Sequence, residues 1–185
     1  MDARELDTER LSLRLPTLDD FDDTAAMLRD EAVVRHIGGK PFTSEESWLR
    51  LLRHVGHWQL FGFGFWVVRE KRGGAFVGHV GLGDFRREMA PTFGGDPEMG
   101  WVLARSAHGK GYATEAAHAA VAWMALKHRP ARLVCMIEPE NAASLRVAAK
   151  CGFREFARTT YKDSLVALLE RRPQSLLPGG SGETV

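Results

Sequence analysis

The sequence has almost no charge imbalance, few cysteines and no long apolar run, and each of these absences excludes a class of protein. Its 25 basic and 24 acidic residues leave a formal net charge of only +1. A nucleic-acid-binding domain usually carries a basic excess, so that role is disfavoured. The two cysteines, Cys135 and Cys151, form neither a CxxC motif nor part of a metal-ligand cluster. We therefore expect two reduced core thiols and no metal site.

Targeting signals are also lacking. Residues 1–10 are rich in charge and have no apolar centre, which argues against a secretory signal. No stretch approaches the roughly 18 consecutive apolar residues of a membrane span. We expect a soluble, cytoplasmic protein that binds no membrane. Its 185 residues suit one domain, placed at residues 1–172. The stretch 173–185, with its run of proline, glycine and serine, is expected to be disordered.

The apolar pattern predicts a mixed α/β domain. Strands are expected at Leu6–Leu15, Phe65–Arg69, Ala75–Gly83, Met99–Leu103, Leu133–Ile137, Phe153–Tyr161 and Leu165–Arg171. Helices are expected near Phe21–Leu28, after the capping box Thr43–Glu46, at Gly111–Lys127 and from Asn141 to about Gly152. Because Met99–Leu103, Gly111–Lys127 and Leu133–Ile137 form a βαβ unit, the two strands of that unit should be parallel.

The helix after Thr43 is expected to be amphipathic. The apolar residues that recur at helical spacing, and that should form its buried face, are Trp48, Leu51, Leu52, Val55 and Trp58. His54 and His57 lie on the same helix without a nearby third ligand, so we do not expect them to bind a metal.

The turn before the helix Gly111–Lys127 carries a possible anion site. It reads His108-Gly109-Lys110-Gly111-Tyr112-Ala113. Glycines let consecutive amides point at one centre, and the helix adds its positive dipole end, a combination that suits a diphosphate. Taken alone, the glycines are better explained as a tight strand-to-helix turn. The spacing matches neither a dinucleotide fingerprint, since Thr114 stands where a third glycine is needed, nor a Walker A loop.

Three ordered blocks resemble a known family, the GNAT N-acetyltransferases. His108–Ala113 is similar to their Gln/Arg-x-x-Gly-x-Gly/Ala motif, and Gly109–Ala116 matches more closely still. Asn141–Phe153 resembles the second block, with its Asn, Ser, Lys and Gly-Phe in register. Thr8–Arg14 resembles the opening strand of the ribosomal-protein N-terminal acetyltransferase-like branch. The resemblance runs from about Leu6 to Arg171.

The resemblance implies a GNAT fold with about seven strands, largely antiparallel around a central parallel pair, and about four helices. It also implies acetyl-CoA as cosubstrate, without a metal. The diphosphate would lie on the turn, and the pantetheine arm would pair with the first parallel strand where that strand splays from the second. The residues that it assigns to the coenzyme are Trp101, Val102, Leu103, His108, Gly109, Lys110, Gly111, Tyr112, Ala113, Thr114, Asn141, Ser144 and Lys150.

Catalytic roles are less evident. Many relatives carry a tyrosine general acid at the position of Ala148, so Ser144 is the candidate that would protonate the leaving thiolate. Glu98 is the candidate base, directly or through water, although a solvated carboxylate at a strand end is an equal alternative. The oxyanion would meet a backbone amide near Val102. Asp84 and Glu88 are weaker candidates for the base.

The acceptor is left open by the sequence. An amine attacks a thioester only when neutral, and deprotonation at pH 7 costs about 1.4 kcal/mol for an α-amino group but about 5 kcal/mol for a lysine. An N-terminal amine therefore needs only modest help. The acceptor is expected to be a protein N-terminus or a small amine or amino acid, since the near-balanced charge gives no support to an aminoglycoside-like polyamine. The protein is expected to be a monomer or a homodimer. The alternative is a non-catalytic module that binds or senses acyl-CoA.

Overall fold

The computed structural model describes residues 4–173, which build an eight-stranded sheet with helices on both faces. The strands β1 to β8 are Leu6–Asp7, Leu11–Arg14, Phe65–Glu70, Phe76–Gly83, Glu98–Leu103, Leu133–Ile137, Arg154–Tyr161 and Ser164–Arg171. The helices α1 to α5 are Phe21–Arg29, Glu31–Val34, Ser44–Phe61, Tyr112–Lys127 and Ala142–Lys150. Within this range no helix has the length and apolarity to cross a membrane.

The strand order is β1-β2-β3-β4-β5-β6-β8-β7. Neighbouring strands are antiparallel except for the central pair β5 and β6, which is parallel. The expected βαβ unit is thus confirmed, with α4 as its crossover helix. A mixed sheet with one parallel pair at its centre is the architecture that the resemblance implied.

Helices cover the two faces of the sheet from opposite sides. Successive residues of a strand point to opposite faces. On β3, Phe65 stacks on His54 of α3 with ring centroids 4.7 Å apart, whereas the next residue, Trp66, packs edge-on against Trp123 of α4 at 5.2 Å. Helix α1 packs beside α3. The sheet therefore lies between an α1–α3 layer and an α4 layer.

The first predicted strand is split in two. Thr8 accepts the Leu11 amide through its hydroxyl at 3.0 Å, and the chain turns back there, so that β1 pairs with β2 as a short hairpin. A short helix, α2, was also not predicted; Asp30 caps it by accepting the Ala32 amide at 2.9 Å. These two local turns account for eight strands and five α-helices where about seven and four were expected. Of the predicted disordered stretch, residues 174–185 lie outside the described residues.

The predicted buried face of α3 is wrong in part. The capping box at Thr43 and Glu46 forms as expected. Leu51 and Trp58 are buried, but Trp48 is 38% exposed and Leu52 and Val55 are each 44% exposed. The remaining buried positions of α3 are polar: Ser47, His54 and His57. The small side chain of Ser47 and the flat rings of the two histidines fit between α3 and the elements it packs against. The buried face of α3 is therefore rotated away from its most apolar face.

Candidate active site

Strands β5 and β6 are paired at one point and then separate. The register joins Glu98 to Val134, and the Val134 amide donates to the Pro97 carbonyl at 3.1 Å. In the described sheet no second residue pair joins these two strands, whereas β5 stays paired with β4 as far as Leu103. The edge of β5 from Gly100 to Leu103 consequently faces an open gap. A backbone edge of this kind can accept an extended ligand as an extra strand.

The direction of each backbone group along β5 follows from its neighbours. Backbone groups of successive residues in a strand point to opposite sides. The Ala104 amide donates to β4 at 2.9 Å, while the Pro97 carbonyl accepts from β6. Alternation therefore turns Val102 toward β4, and Trp101 and Leu103 toward the gap. The Val102 backbone, predicted to contact the coenzyme and to lie near the oxyanion, therefore faces β4 and not the gap.

The turn before α4 presents a series of free amides. Gly109 and Gly111 adopt left-handed φ values of 75° and 80°, and α4 begins directly after Gly111. The first intrahelical bond runs from the Glu115 amide to the Gly111 carbonyl at 3.1 Å. Residues 4–173 supply no hydrogen-bond acceptor for the amides of residues 109–114. A run of unpaired amides at a helix N-terminus suits a phosphate group.

Side chains brace this turn from outside. Arg10 pairs with Glu115 at 2.6 Å and also donates to the Lys110 carbonyl at 2.9 Å. Burial alone would raise the pKa of Glu115, but the hydrogen bonds from Thr8 and Arg10 outweigh it and lower that pKa. The His108 ring bonds the Leu103 carbonyl at 3.0 Å, which ties the turn to the end of β5.

The two lysines predicted to contact the coenzyme are exposed. The Lys110 ammonium lies 3.2 Å from the Glu70 carboxylate, a surface pair of little strength. That hydrogen bond lowers the pKa of Glu70. Lys150 is exposed at the last position of α5. Both side chains can reach an anion in solvent, and neither is held in place by the fold.

Asn141 and Ser144 stand together at the start of α5. The Asn141 side-chain oxygen caps the helix by accepting the Ser144 amide at 3.1 Å, so the amide NH2 group of Asn141 remains available. The Ser144 hydroxyl accepts from the Trp101 indole at 3.2 Å and keeps its own hydrogen to donate. The contact links β5 to α5 across the gap. Ala148, one turn further on, is fully buried, so a tyrosine would not fit there without rearrangement.

Glu98 is neither solvated nor free. Its side chain is 8% exposed, and Arg87 holds both carboxylate oxygens at 2.6 and 2.7 Å. Burial works to lower the pKa of Arg87, but the hydrogen bonds to Glu98 prevail and raise it. The alternative of a solvated strand-end carboxylate is therefore wrong. A cavity of about 330 Å³ opens beside this pair, lined by residues 84–87 and 92–96 and by Glu98.

Two buried histidines lie on the α3 side of the sheet, His54 on α3 and His79 on β4. The His54 and His79 rings are 5.0 Å apart, and His79 bonds the Thr24 hydroxyl at 2.9 Å. Burial holds the pKa of His54 well below its usual range and lowers that of His79 to about 3, so both rings are neutral at pH 7. Neither nitrogen of His54 has a hydrogen-bond partner in the described part of the chain.

Sequence reasoning missed three arginines on this side. Arg87 lies in the loop after β4, and Arg50 and Arg53 lie on α3. The Arg53 and Arg87 guanidinium carbons lie 5.2 and 5.0 Å from the Phe85 ring centre, and Arg50 lies 5.6 Å from that of Phe42. The three-residue spacing of Arg50 and Arg53 could be seen in the sequence, since residues three apart share a helix face. How the arginines lie relative to Glu98 depends on the tertiary fold.

Comparisons with known proteins agree with this geometry. Residues 10–154 match the family model described as an acetyltransferase (GNAT) domain. A GNAT-family acetyltransferase of Bordetella pertussis is 33% identical, with a TM-score of 0.81 over 90% of this chain and 98% of that one. The protein YkkB of Bacillus subtilis is 32% identical over 113 residues, which span 60% of this chain and 63% of that protein. A Ribosomal-protein-S5-alanine Acetyltransferase from Vibrio fischeri, 21% identical, shares the fold with a TM-score of 0.71 over 94% of this chain and 99% of that one.

Proposed function

The chain belongs to the GNAT acetyltransferase family, and from that premise we propose that it transfers an acetyl group from acetyl-CoA to a primary amine within a ternary complex. The observation that carries the proposal is the open β5 edge next to the turn of unpaired amides. The β5 edge ends at Leu103 and the turn begins five residues later at His108, so both features can serve one ligand that has a diphosphate at one end and an amide-containing arm at the other. Coenzyme A has both parts.

The coenzyme residues proposed on this basis are the backbone of Trp101 and Leu103, the amides of residues 109–114, and the side chain of Asn141. The pantetheine arm would continue the sheet from β5, and the diphosphate would receive the amides at the start of α4. The thioester would then lie near the beginning of the gap, between Glu98 and Ser144.

The acetyl transfer itself requires three events. The neutral amine nitrogen attacks the thioester carbonyl, the carbon–sulfur bond breaks, and the amine loses a proton while the thiolate gains one. The amide of Trp101, which faces the gap and lies next to Ser144, would stabilise the developing oxyanion. Ser144 would donate a hydrogen bond from its hydroxyl to the leaving sulfur, since that hydroxyl already accepts from Trp101. The thiolate would take its proton from water. A thiol with a pKa of about 8.5 is a good leaving group, so this help need only be modest.

Glu98 is proposed as the group that draws the proton from the amine, through a water molecule. Arg87 occupies one side of each carboxylate oxygen, and an ionised carboxylate has about four acceptor positions, so two remain. An α-amino group suits this arrangement better than a lysine, because its deprotonation at pH 7 costs about 1.4 kcal/mol and that of a lysine about 5 kcal/mol.

The test combines coenzyme binding with turnover. Calorimetry with CoA should show binding, and release of free thiol from acetyl-CoA should depend on an added amine. Glu98→Gln should lower kcat by about a hundredfold or more while leaving CoA affinity unchanged. Absence of CoA binding by folded protein would refute the proposal. Binding without turnover on any amine would support the alternative of an acyl-CoA sensor.

A further inference from the structure

Arg50 and Arg53 form a pair of cations that make no ion pair with an acidic residue in the described range 4–173. They lie three residues apart on one face of α3, Arg50 half-buried and Arg53 exposed. Neither makes a hydrogen bond or an ion pair with any residue of the range 4–173; each guanidinium only lies over an aromatic ring, Phe42 or Phe85. Partial burial of the Arg50 side chain without a charged partner is costly to the fold.

The acids nearby are already engaged. Glu98 is held at both oxygens by Arg87, and Asp84 pairs with Arg86 at 2.8 Å. Burial, together with Arg53 and Arg87, lowers the pKa of Arg50 to about 10. Among Arg50, Arg53 and Arg87, only Arg87 therefore has a carboxylate partner, Glu98. This side of the sheet carries excess positive charge, although the whole chain is nearly neutral.

A third group without a partner lies beside them. His54 follows Arg53 on α3, is 1% exposed, and has two ring nitrogens that find no hydrogen-bond partner among residues 4–173. Buried polar atoms in native proteins are nearly always hydrogen-bonded, to protein, to water or to a ligand. The His54 ring lies on Phe65, while the guanidinium groups of the two arginines on the same face of α3 lie over Phe85 and Phe42.

Resting on the proposed function, we propose that the acceptor amine carries a carboxylate, which Arg50 and Arg53 bind while the amino group points toward Glu98. Arg87 is already occupied by Glu98, so the two α3 arginines are the ones available to the substrate. Guanidinium groups bind carboxylates with paired, charge-assisted hydrogen bonds. A polyamine or an aminoglycoside would instead bring positive charge against three arginines. The acceptor class is therefore an amino acid, free or presented by an acidic peptide.

The first experiment compares acceptors on the wild-type enzyme. Thiol release from acetyl-CoA is measured with a free amino acid, the carboxamide of the same amino acid, and two short peptides that differ by glutamate or glutamine at their second position. We expect kcat/KM to be about tenfold to a hundredfold higher for a carboxylate-bearing acceptor than for its neutral match, mainly through KM. The pair that shows the difference identifies the source of the carboxylate. Equal rates for acid and amide in both pairs would overturn the inference while leaving the proposed function intact.

The second experiment changes the arginines. Arg53→Gln, at an exposed position, and Arg50→Lys should each reduce the preference for the acid by about tenfold and leave CoA affinity unchanged. Arg72→Gln, in the exposed β3–β4 turn, removes the same charge away from the site and should change nothing. A preference retained in both α3 variants would contradict the assignment.

A binding measurement separates this inference from the proposed function. The N-acetylated amino acid, which is the product and needs no turnover, should raise Tm in the presence of CoA, and its carboxamide should not. Protection by the acid that is lost in Arg53→Gln supports the carboxylate site even if no acceptor is turned over. Equal protection by acid and amide, or protection that survives in Arg53→Gln, refutes it.

Discussion

Removing Arg87 should destabilise the protein more than removing both members of its pair. In Arg87→Met the carboxylate of Glu98, whose side chain is 8% exposed beside Arg87, loses both of its hydrogen bonds from Arg87. Breaking a buried ion pair in this way costs about 3–5 kcal/mol. Since the Arg87 side chain is 21% exposed, we expect the lower end of that range, about 3 kcal/mol. At about 2–4 °C per kcal/mol, Tm should fall by about 6–12 °C.

The double variant Arg87→Met/Glu98→Gln removes the buried charge together with its partner. It should be more stable than Arg87→Met alone, with a coupling energy of about 2 kcal/mol in the double-mutant cycle. The assay is urea unfolding of the four proteins at pH 7. A matched control is the pair Arg158 and Glu155 on β7, which has similar bond lengths but side chains 55% and 40% exposed; it should show no measurable coupling. If the losses for Arg87 and Glu98 simply add, the pair does not hold Glu98 in place.

Three further predictions concern other parts of the molecule. Gly111→Ala places a side chain at φ 80°, which should cost about 1–2 kcal/mol in the turn and weaken CoA binding measured by calorimetry; unchanged affinity would contradict the diphosphate site. Ser144→Ala should lower kcat by about tenfold to a hundredfold with little change in CoA affinity, and a normal kcat would remove Ser144 from the mechanism. Burial would raise the pKa of Asp20, but hydrogen bonds, first from Arg14, lower it. The carboxylate therefore stabilises the fold at pH values above its unfolded pKa of about 3.9. This stabilisation is lost as the pH falls through the lower folded pKa. Asp20→Asn should therefore be less stable at pH 7 by about 3 kcal/mol, with the difference shrinking toward pH 3 in urea unfolding; a constant difference would contradict the assignment.

The second half of the chain was the easier to predict, because its signals are local. An unbroken apolar run at Leu133–Ile137 and an alanine-rich helix at Gly111–Lys127 each indicate burial without knowledge of the rest of the fold. Capping by Asn141 and the left-handed Gly152 at the end of α5 are likewise encoded within a few residues, and the structure confirms both.

The α3 side could not be predicted in the same way. Apolar spacing favoured Trp48 as a core residue, but the side chains that contact the sheet are decided by what β3 and β4 present. His54 is buried because it stacks on Phe65, a residue on another element. The Arg87–Glu98 pair joins a loop to a strand, and no pattern within either segment indicates it. The candidate base was thus identifiable from the sequence, whereas its ion pair was not.

Because β5 and β6 pair at a single point, the sheet consists of two parts, β1 to β5 and β6 to β8. Beyond that point side chains connect the two parts: Trp101 hydrogen-bonds Ser144, and His36 hydrogen-bonds Glu138 at 2.7 Å. The separation between β5 and β6 can increase without loss of the other strand pairings, since the strands on each side keep their own antiparallel hydrogen bonds. An extended ligand that binds between β5 and β6 would add hydrogen bonds to both strands. Ligand binding would therefore also make the whole sheet more rigid.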